Sequence, residues 1–156
     1  NFEKNKINLK NQSQKILIGR SDIADFPKLN LSNIDVKVDT GAYTSSFHCQ
    51  HIIREKNILK CQLLDSEHHK FKQNYFEFSE FTQKKVKSSN GIVENRYLIK
   101  TEICIFGNTY PIDLTLTERS SMKFPVLLGR KFLSKKFIVN TAKKNLSHKN
   151  IIINID

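Results

Sequence analysis

The chain has 156 residues and a formal net charge of +11, with 26 Lys and Arg against 15 Asp and Glu. A chain of this length is most simply one domain, able to bury about two-thirds of its unfolded surface without a disulfide or metal. Nothing approaches the ~20 consecutive apolar residues of a membrane-spanning helix, and Cys49, Cys61 and Cys104 are odd in number and too widely spaced for a disulfide framework.

The same cysteine usage tilts the expected compartment toward a reducing one, cytoplasmic rather than periplasmic. No basic segment followed by an apolar core opens the chain, so no secretion signal is read; the first residue is Asn1 rather than Met, which leaves room for residues upstream. Five arginines stand beside 21 lysines and 15 asparagines. Lysine and asparagine in excess read first as solvated faces, because specific phosphate or carboxylate recognition leans on arginine forks. The functional alternative is an acidic partner: nucleic acid, an acidic peptide or an anionic surface.

In chain order, residues 1–14 are polar without apolar period and read as a flexible arm ahead of a domain over 15–156. "KILIGR" (15–20) is a short apolar strand ended by glycine. "SDIADFPKLNLSN" (21–33) reads as a loop, since Pro27 argues against a long strand. "IDVKVDT" alternates Ile34, Val36 and Val38 with Asp35, Lys37 and Asp39, the period of a half-buried strand. "NILKCQLL" and "FKQNYFEFSEF" read as further strands. "SSNG" (88–91) is a turn between strand-like runs, and "IVENRYLIKTEICIFG" with "NTYPIDLTLTE" predicts a hairpin closed near Gly107 and Asn108. "FPVLLGRKFLSK" is an apolar strand running through Gly129 into a short helical segment, and "KFIVNT" and "NIIINID" are closing strands. The expected fold is all-β, a barrel or sandwich with little helix.

Asp39, Thr40 and Gly41 stand at the end of the alternating strand. Glycine lets the backbone turn sharply and bring its amide to the carboxylate, and the threonine hydroxyl can tie the loop to nearby backbone. An ordinary turn with Asp39 accepting local N–H groups is the plainer reading of these three residues alone. The chemical reading is a carboxylate held rigidly for acid–base work, in which two facing carboxylates share a proton and act as base and acid together. "FPVLLGRKFL" is the second feature. In pepsin-like and retroviral-type proteases an apolar pair and a glycine, here Leu127, Leu128 and Gly129, pass beside such a loop into a short helix.

With both features in place, the chain resembles the retropepsin-like aspartic protease family of bacteria that was historically labelled ATP-dependent zinc proteases and is associated with ATP-grasp glutamate ligases. The resemblance runs through "ILIGRSDIADFPKL", "KVDTGAYTSSFH", "VKSSNGIVENRYLI", "LTLTERSSMKFPVLLGRKFL" and "FIVNT". It implies a retropepsin-like closed β-barrel with one short helix near the C-terminal part, acting as an aspartic-type endopeptidase. Asp39, Thr40 and Gly41 match the catalytic loop, with Ala42, Thr44, Ser45 and His48 continuing that motif as substrate-side residues. Ser89, Asn90 and Gly91, followed by Glu94, match a hairpin beside or over the cleft; Arg119, Ser120, Met122, Gly129 and Arg130 match the closing motif. The family usually carries a basic residue where this chain has Tyr43.

Of the seven aspartates only Asp39 precedes Thr-Gly, so one chain supplies one catalytic carboxylate and the expected active form is a homodimer meeting at a two-fold axis. No cofactor is expected; zinc rests on the historical label alone, because His48, Cys49, His51 and the His68–His69 pair lack any strong zinc spacing. The expected substrate is a peptide or protein, acidic or glutamylated, with Arg96, Arg119 and Arg130 able to grip carboxylates; Arg130 could equally hold the barrel or dimer together. Two rivals stand beside this reading. One is a non-catalytic peptide-binding or regulatory module on the same barrel. The other is a basic barrel binding nucleic acid, disfavoured because Phe71, Tyr75, Phe76 and Phe78 are more simply core than stacking faces.

Overall fold

A computed structural model of the chain describes residues 14–87, 90–118, 123–149 and 152–154. Most of them are strand. β1 is Gln14–Ile18, β2 Ser21–Phe26, β3 Leu31–Val38, β4 Ser45–Glu55, β5 Ile58–Leu63 and β6 Phe76–Phe78. β7 is Thr82–Lys87, β8 Val93–Ile105, β9 Asn108–Thr117, β10 Val126–Leu128, β11 Phe137–Val139 and β12 Ile152–Asn154. One helix, α1, covers Arg130–Leu133. The residues of the sequence-predicted arm up to 13 lie outside the described residues, and Gln14 opens β1.

Six strands close into a barrel. β3 pairs antiparallel with β2 and parallel with β10; β10 pairs antiparallel with β4, and β4 parallel with β9. β9 pairs antiparallel with β8, which returns to β2 through Asp25 and Cys104. Closure leaves the ring without open edges, which would otherwise template pairing with other chains. The inward positions recur at every second residue: Ala24 and Phe26, Ile34 and Val36, Phe47 and Cys49, Ile103 and Ile105, Ile112, Leu114 and Leu116, and Val126 and Leu128 are all buried, and on β4 and β9 some of the positions between them are buried as well. Phe26 and Phe47 meet edge-to-face with centroids 5.5 Å apart. Each such side chain contributes roughly 1.5–3 kcal/mol by leaving water, and this shared interior fixes the register of all six strands. β5 and β6 extend the sheet beyond β4, and β7 pairs with β8 to raise a hairpin above the ring. A separate three-stranded sheet has β1 between β11 and β12.

The segment read as a loop at 21–33 is instead mostly strand. Residues 21–26 form β2, with Asp22 only 2% exposed. A buried carboxylate is tolerable when it is hydrogen-bonded, and Asp22 accepts the N–H of Ile23 at 2.7 Å and of Ser147 at 3.0 Å. Pro27 lies just past the strand. It starts a 3-10 turn, Pro27–Leu29, where its missing N–H costs nothing. Asn30, at φ 54°, then reverses the chain into β3. The strand expected across 71–81 shrinks to β6, and the β8–β9 hairpin closes where predicted, through Phe106 and Gly107 at positive φ. Among the described residues, no helix is long and apolar enough to cross a membrane.

Candidate active site

β3 delivers Asp39 to the surface and β10 holds it there. Val38 N–H donates to the Arg20 carbonyl and Asp39 N–H to the Leu128 carbonyl, both at 2.9 Å. The chain then turns: Gly41 N–H donates to Asp39 Oδ1 at 3.1 Å, and Ala42 N–H to the Asp39 carbonyl at 3.3 Å. A Cβ on Gly41 would sit 3.3 Å from that same Oδ1, tighter than ordinary contact. A side chain at this position would crowd the oxygen that the Gly41 amide holds.

The apolar strand and short helix close over the far side of the loop. Gly129 N–H donates to Ser45 Oγ at 3.0 Å, while Arg130 N–H and Lys131 N–H donate to the Ala42 and Tyr43 carbonyls, each at 2.9 Å. The first amides of a helix have no partner within it, and α1 spends two of them on the Asp-Thr-Gly loop. The Arg130 side chain adds a third tie, from Nη1 to the Thr40 carbonyl at 2.9 Å. Lys131 is itself anchored 2.6 Å from Asp113 Oδ2, and that hydrogen bond raises the lysine above its ordinary pKa.

Asp39 opens onto a cleft of about 740 Å³ between this loop and the β7–β8 hairpin. Five cations line it, Lys84, Lys85, Lys87, Arg96 and Arg130, and Asp39 is the one carboxylate among the lining residues. Lys84 reaches down from the hairpin: its Nζ donates to Thr44 Oγ1 at 2.7 Å and stands 5.1 Å from the Tyr43 ring centroid. Arg130 lies 5.8 Å from the same ring. Arg96 is partly neutralised by Glu94, 3.1 Å away.

Of the residues singled out in the sequence, Asp39, Gly41, Ala42, Tyr43, Thr44, Arg96, Leu127 and Arg130 line the cleft together. Thr40 is exposed, with its carbonyl held by Arg130. Ser45 is buried behind the loop as the acceptor for Gly129. His48 is 2% exposed and lies outside the cleft lining. Its Nδ1 is 3.2 Å from the Thr117 carbonyl and its Nε2 2.9 Å from Asp65 Oδ2, so the ring braces β4 against β9 and the 64–70 loop. Asn90 and Gly91 are exposed in the turn between β7 and β8. Ser89, Arg119, Ser120 and Met122 lie outside the described residues. Lys84, Lys85 and Lys87 escaped notice, although three lysines in the strand before the "SSNG" turn were the available signal.

The donor set does not suit zinc. Both His48 nitrogens lie against protein oxygens, and Cys49 and Cys61 are buried free thiols outside the cleft lining. Among the described residues, no three His, Cys, Asp or Glu side chains converge as a metal site would require.

The comparisons agree with this architecture. A probable alpha-L-glutamate ligase of Shewanella halifaxensis is 34% identical over 134 residues, which is 83% of this chain but 29% of that protein. A protein of the same name from Parasynechococcus marenigrum is 30% identical over 133 residues, 82% of this chain and 28% of its own length. The chain thus spans under a third of the curated relatives it matches. A crystal structure of a Legionella pneumophila protein of unknown function shares the fold, with a TM-score of 0.62 over 84% of this chain and 97% of that one, at 24% identity. A family model described as "Retropepsin-like aspartic endopeptidase RimB" matches residues 17–150. A six-stranded barrel carrying an Asp-Thr-Gly loop pinned by a Leu-Leu-Gly strand is the aspartic-protease-like fold that description names, and the chain belongs to the RimB-like family.

Proposed function

We propose that the chain is half of an aspartic-type endopeptidase, and that two copies meet on a two-fold axis to bring their Asp39 carboxylates together. The observation that carries this reading is the Asp39 loop: one carboxylate, fixed by its own loop amide and facing a cleft large enough for an extended peptide. A single carboxylate lacks the acid partner that amide hydrolysis needs, and symmetry supplies one from a second copy. In the pair, two carboxylates at one site share a proton. The ionised one removes a proton from a water between them, the resulting hydroxide bonds to the peptide carbonyl carbon, and the protonated one donates to the carbonyl oxygen. Collapse then breaks the C–N bond, with a proton delivered to the leaving amine.

The cleft's five cations support an acidic substrate. So does the name of the relatives: a domain like this one occurs within proteins called probable alpha-L-glutamate ligases, and glutamate is an acidic residue. The donor set argues against a step through zinc, and none is assigned. The decisive experiment compares the wild-type protein with Asp39→Asn on acidic peptides, alongside sedimentation of both. Loss of hydrolysis with the fold and dimer retained is expected; undiminished hydrolysis in the variant rejects the mechanism.

A further inference from the structure

A second cavity, of about 420 Å³, lies beside β2 and β3. Arg20, Lys37, Lys123 and Lys144 contribute four cations to its lining, against Asp22 and Asp35. The Asp22 carboxylate is already occupied by two backbone amides, so Asp35 is the one lining carboxylate without such bonds. Arg20 is braced by the Ala142 carbonyl at 3.3 Å, which holds one guanidinium in place.

This cavity adjoins the cleft through the sheet register. Ser46 and Leu127 line the cleft, and Lys37 and Ser21 line the second cavity. Ser46 is the cross-strand partner of Leu127, Leu127 of Lys37, and Lys37 of Ser21. Leu127 and Lys37 alternate with Val126, Leu128 and Val36, which are fully buried. The four residues therefore form one row crossing β4, β10, β3 and β2, in which Leu127 and Lys37 reach the surface and the small end residues are nearly covered, Ser46 being 7% and Ser21 9% exposed. Three strand spacings of ~4.8 Å make that row about 14 Å long, the reach of roughly four extended residues.

Resting on the endopeptidase reading, we infer that the second cavity is an exosite for an acidic stretch of the polypeptide whose neighbouring segment occupies the cleft. The path between them runs over Leu127 and Lys37, the two residues of the row that solvent reaches. A short acidic peptide fills the cleft alone, and one of about ten residues or more engages both. The two sites then act as linked modules, so the second contact forms at high effective concentration and multiplies affinity.

The test uses fluorescein-labelled peptides of mixed Asp and Glu, about six and about sixteen residues long, with binding read by anisotropy and hydrolysis by product analysis. The triple variant K37E/K123E/K144E is expected to weaken the long peptide by tenfold or more and leave binding of the short one unchanged. Equal effects on both lengths, or on neither, overturn the exosite. Failure of the wild type to bind the long peptide also overturns it, as does a single-stranded oligonucleotide that binds more tightly and loses affinity in the same variant. Binding that follows the expected length dependence without any hydrolysis leaves the exosite standing and counts against the catalytic reading instead.

Discussion

A Cβ placed on Gly129 would lie 2.6 Å from the Tyr43 carbonyl oxygen, so the backbone entering α1 rests directly on the loop that follows Asp39. That distance is shorter than any carbon–oxygen contact a real side chain makes, and both partners are backbone. Gly129→Ala must therefore displace the loop or β10. The expected cost is about 1–3 kcal/mol of stability, read as a lower urea midpoint, with peptide hydrolysis reduced at least tenfold (a rise of ~1.4 kcal/mol in the activation barrier). A variant that matches the wild type in both measurements refutes the contact.

Arg130 makes a narrower prediction. Its guanidinium donates to the Thr40 carbonyl while its backbone amide holds Ala42. Arg130→Lys keeps the charge and the backbone bond but loses the planar fork that fits the carbonyl. One exposed hydrogen bond is worth about 0.5–1.5 kcal/mol, so the fold should survive. If the tie positions the loop, kcat falls more than KM rises. An unchanged kcat with a raised KM assigns Arg130 to substrate binding alone.

How much of this was legible beforehand varies by residue. The alternation of Ile34, Val36 and Val38 located β3 and therefore Asp39, because a strand with one buried face writes its period into the sequence. Gly129 was legible through its motif, and its reason emerged only with the Tyr43 contact. β2 was hidden because Pro27, which lies just past it, reads as a loop signal, and because Asp22 is polar yet buried, made tolerable by Ser147, 125 residues away. No local pattern reports such a partner. β4 was missed for a related reason: five successive positions, 45–49, are buried, so the strand is covered on both faces and shows no alternation. His48 looked like a substrate residue by motif alone; the two oxygens its ring lies against, on Thr117 and Asp65, come from other segments. The lysines of β7 looked like solvated charge until the hairpin placed them over Asp39.

The position of Tyr43 suits an aromatic ring rather than the basic residue that the family resemblance implies. The ring lies between Lys84 and Arg130, 5.1 and 5.8 Å from its centroid. Each exposed cation–π contact is worth about 0.5–1 kcal/mol. Tyr43→Lys removes both and adds a third cation, so a loss of about 1–3 kcal/mol is expected at low salt. Thermal unfolding at low and high salt checks this. The deficit should shrink as salt screens the new repulsion, and a deficit that grows with salt contradicts the arrangement.

The 65–70 loop carries a pH-sensitive element. Burial, and then the charge of His69, lower the His68 pKa below its ordinary 6.5. The geometry agrees, since His68 Nδ1 accepts the Lys70 N–H at 3.1 Å, which requires that nitrogen to be unprotonated. With the folded pKa below the unfolded one, the unfolded chain binds more protons in the window beneath pH 6.5. Stability is therefore full above 6.5 and declines as pH falls from there toward the lowered folded value. His68→Gln should flatten this part of the curve, measured as a smaller drop in urea midpoint between about pH 7.5 and about pH 5. An identical acid drop in the variant removes His68 as its source.

Salt should drive the two proposed associations in opposite directions. Each chain carries +11 overall, and five cations line the very cleft that a two-fold pairing would bring toward its copy. Like charges oppose dimerisation over a screening length of about 10 Å at 0.1 M salt, falling to about 3 Å at 1 M. Acidic peptides are attracted by the same field and lose that attraction under the same screening. From low to high salt, sedimentation equilibrium should show tighter self-association while anisotropy shows weaker binding of an acidic peptide. If the peptide bridges the cations of both subunits, adding it at low salt should itself promote the dimer, because a ligand that binds the assembled form stabilises it by mass action. Self-association that weakens with salt alongside peptide binding would mean that charge attraction holds the copies together, and that the basic clefts do not face one another.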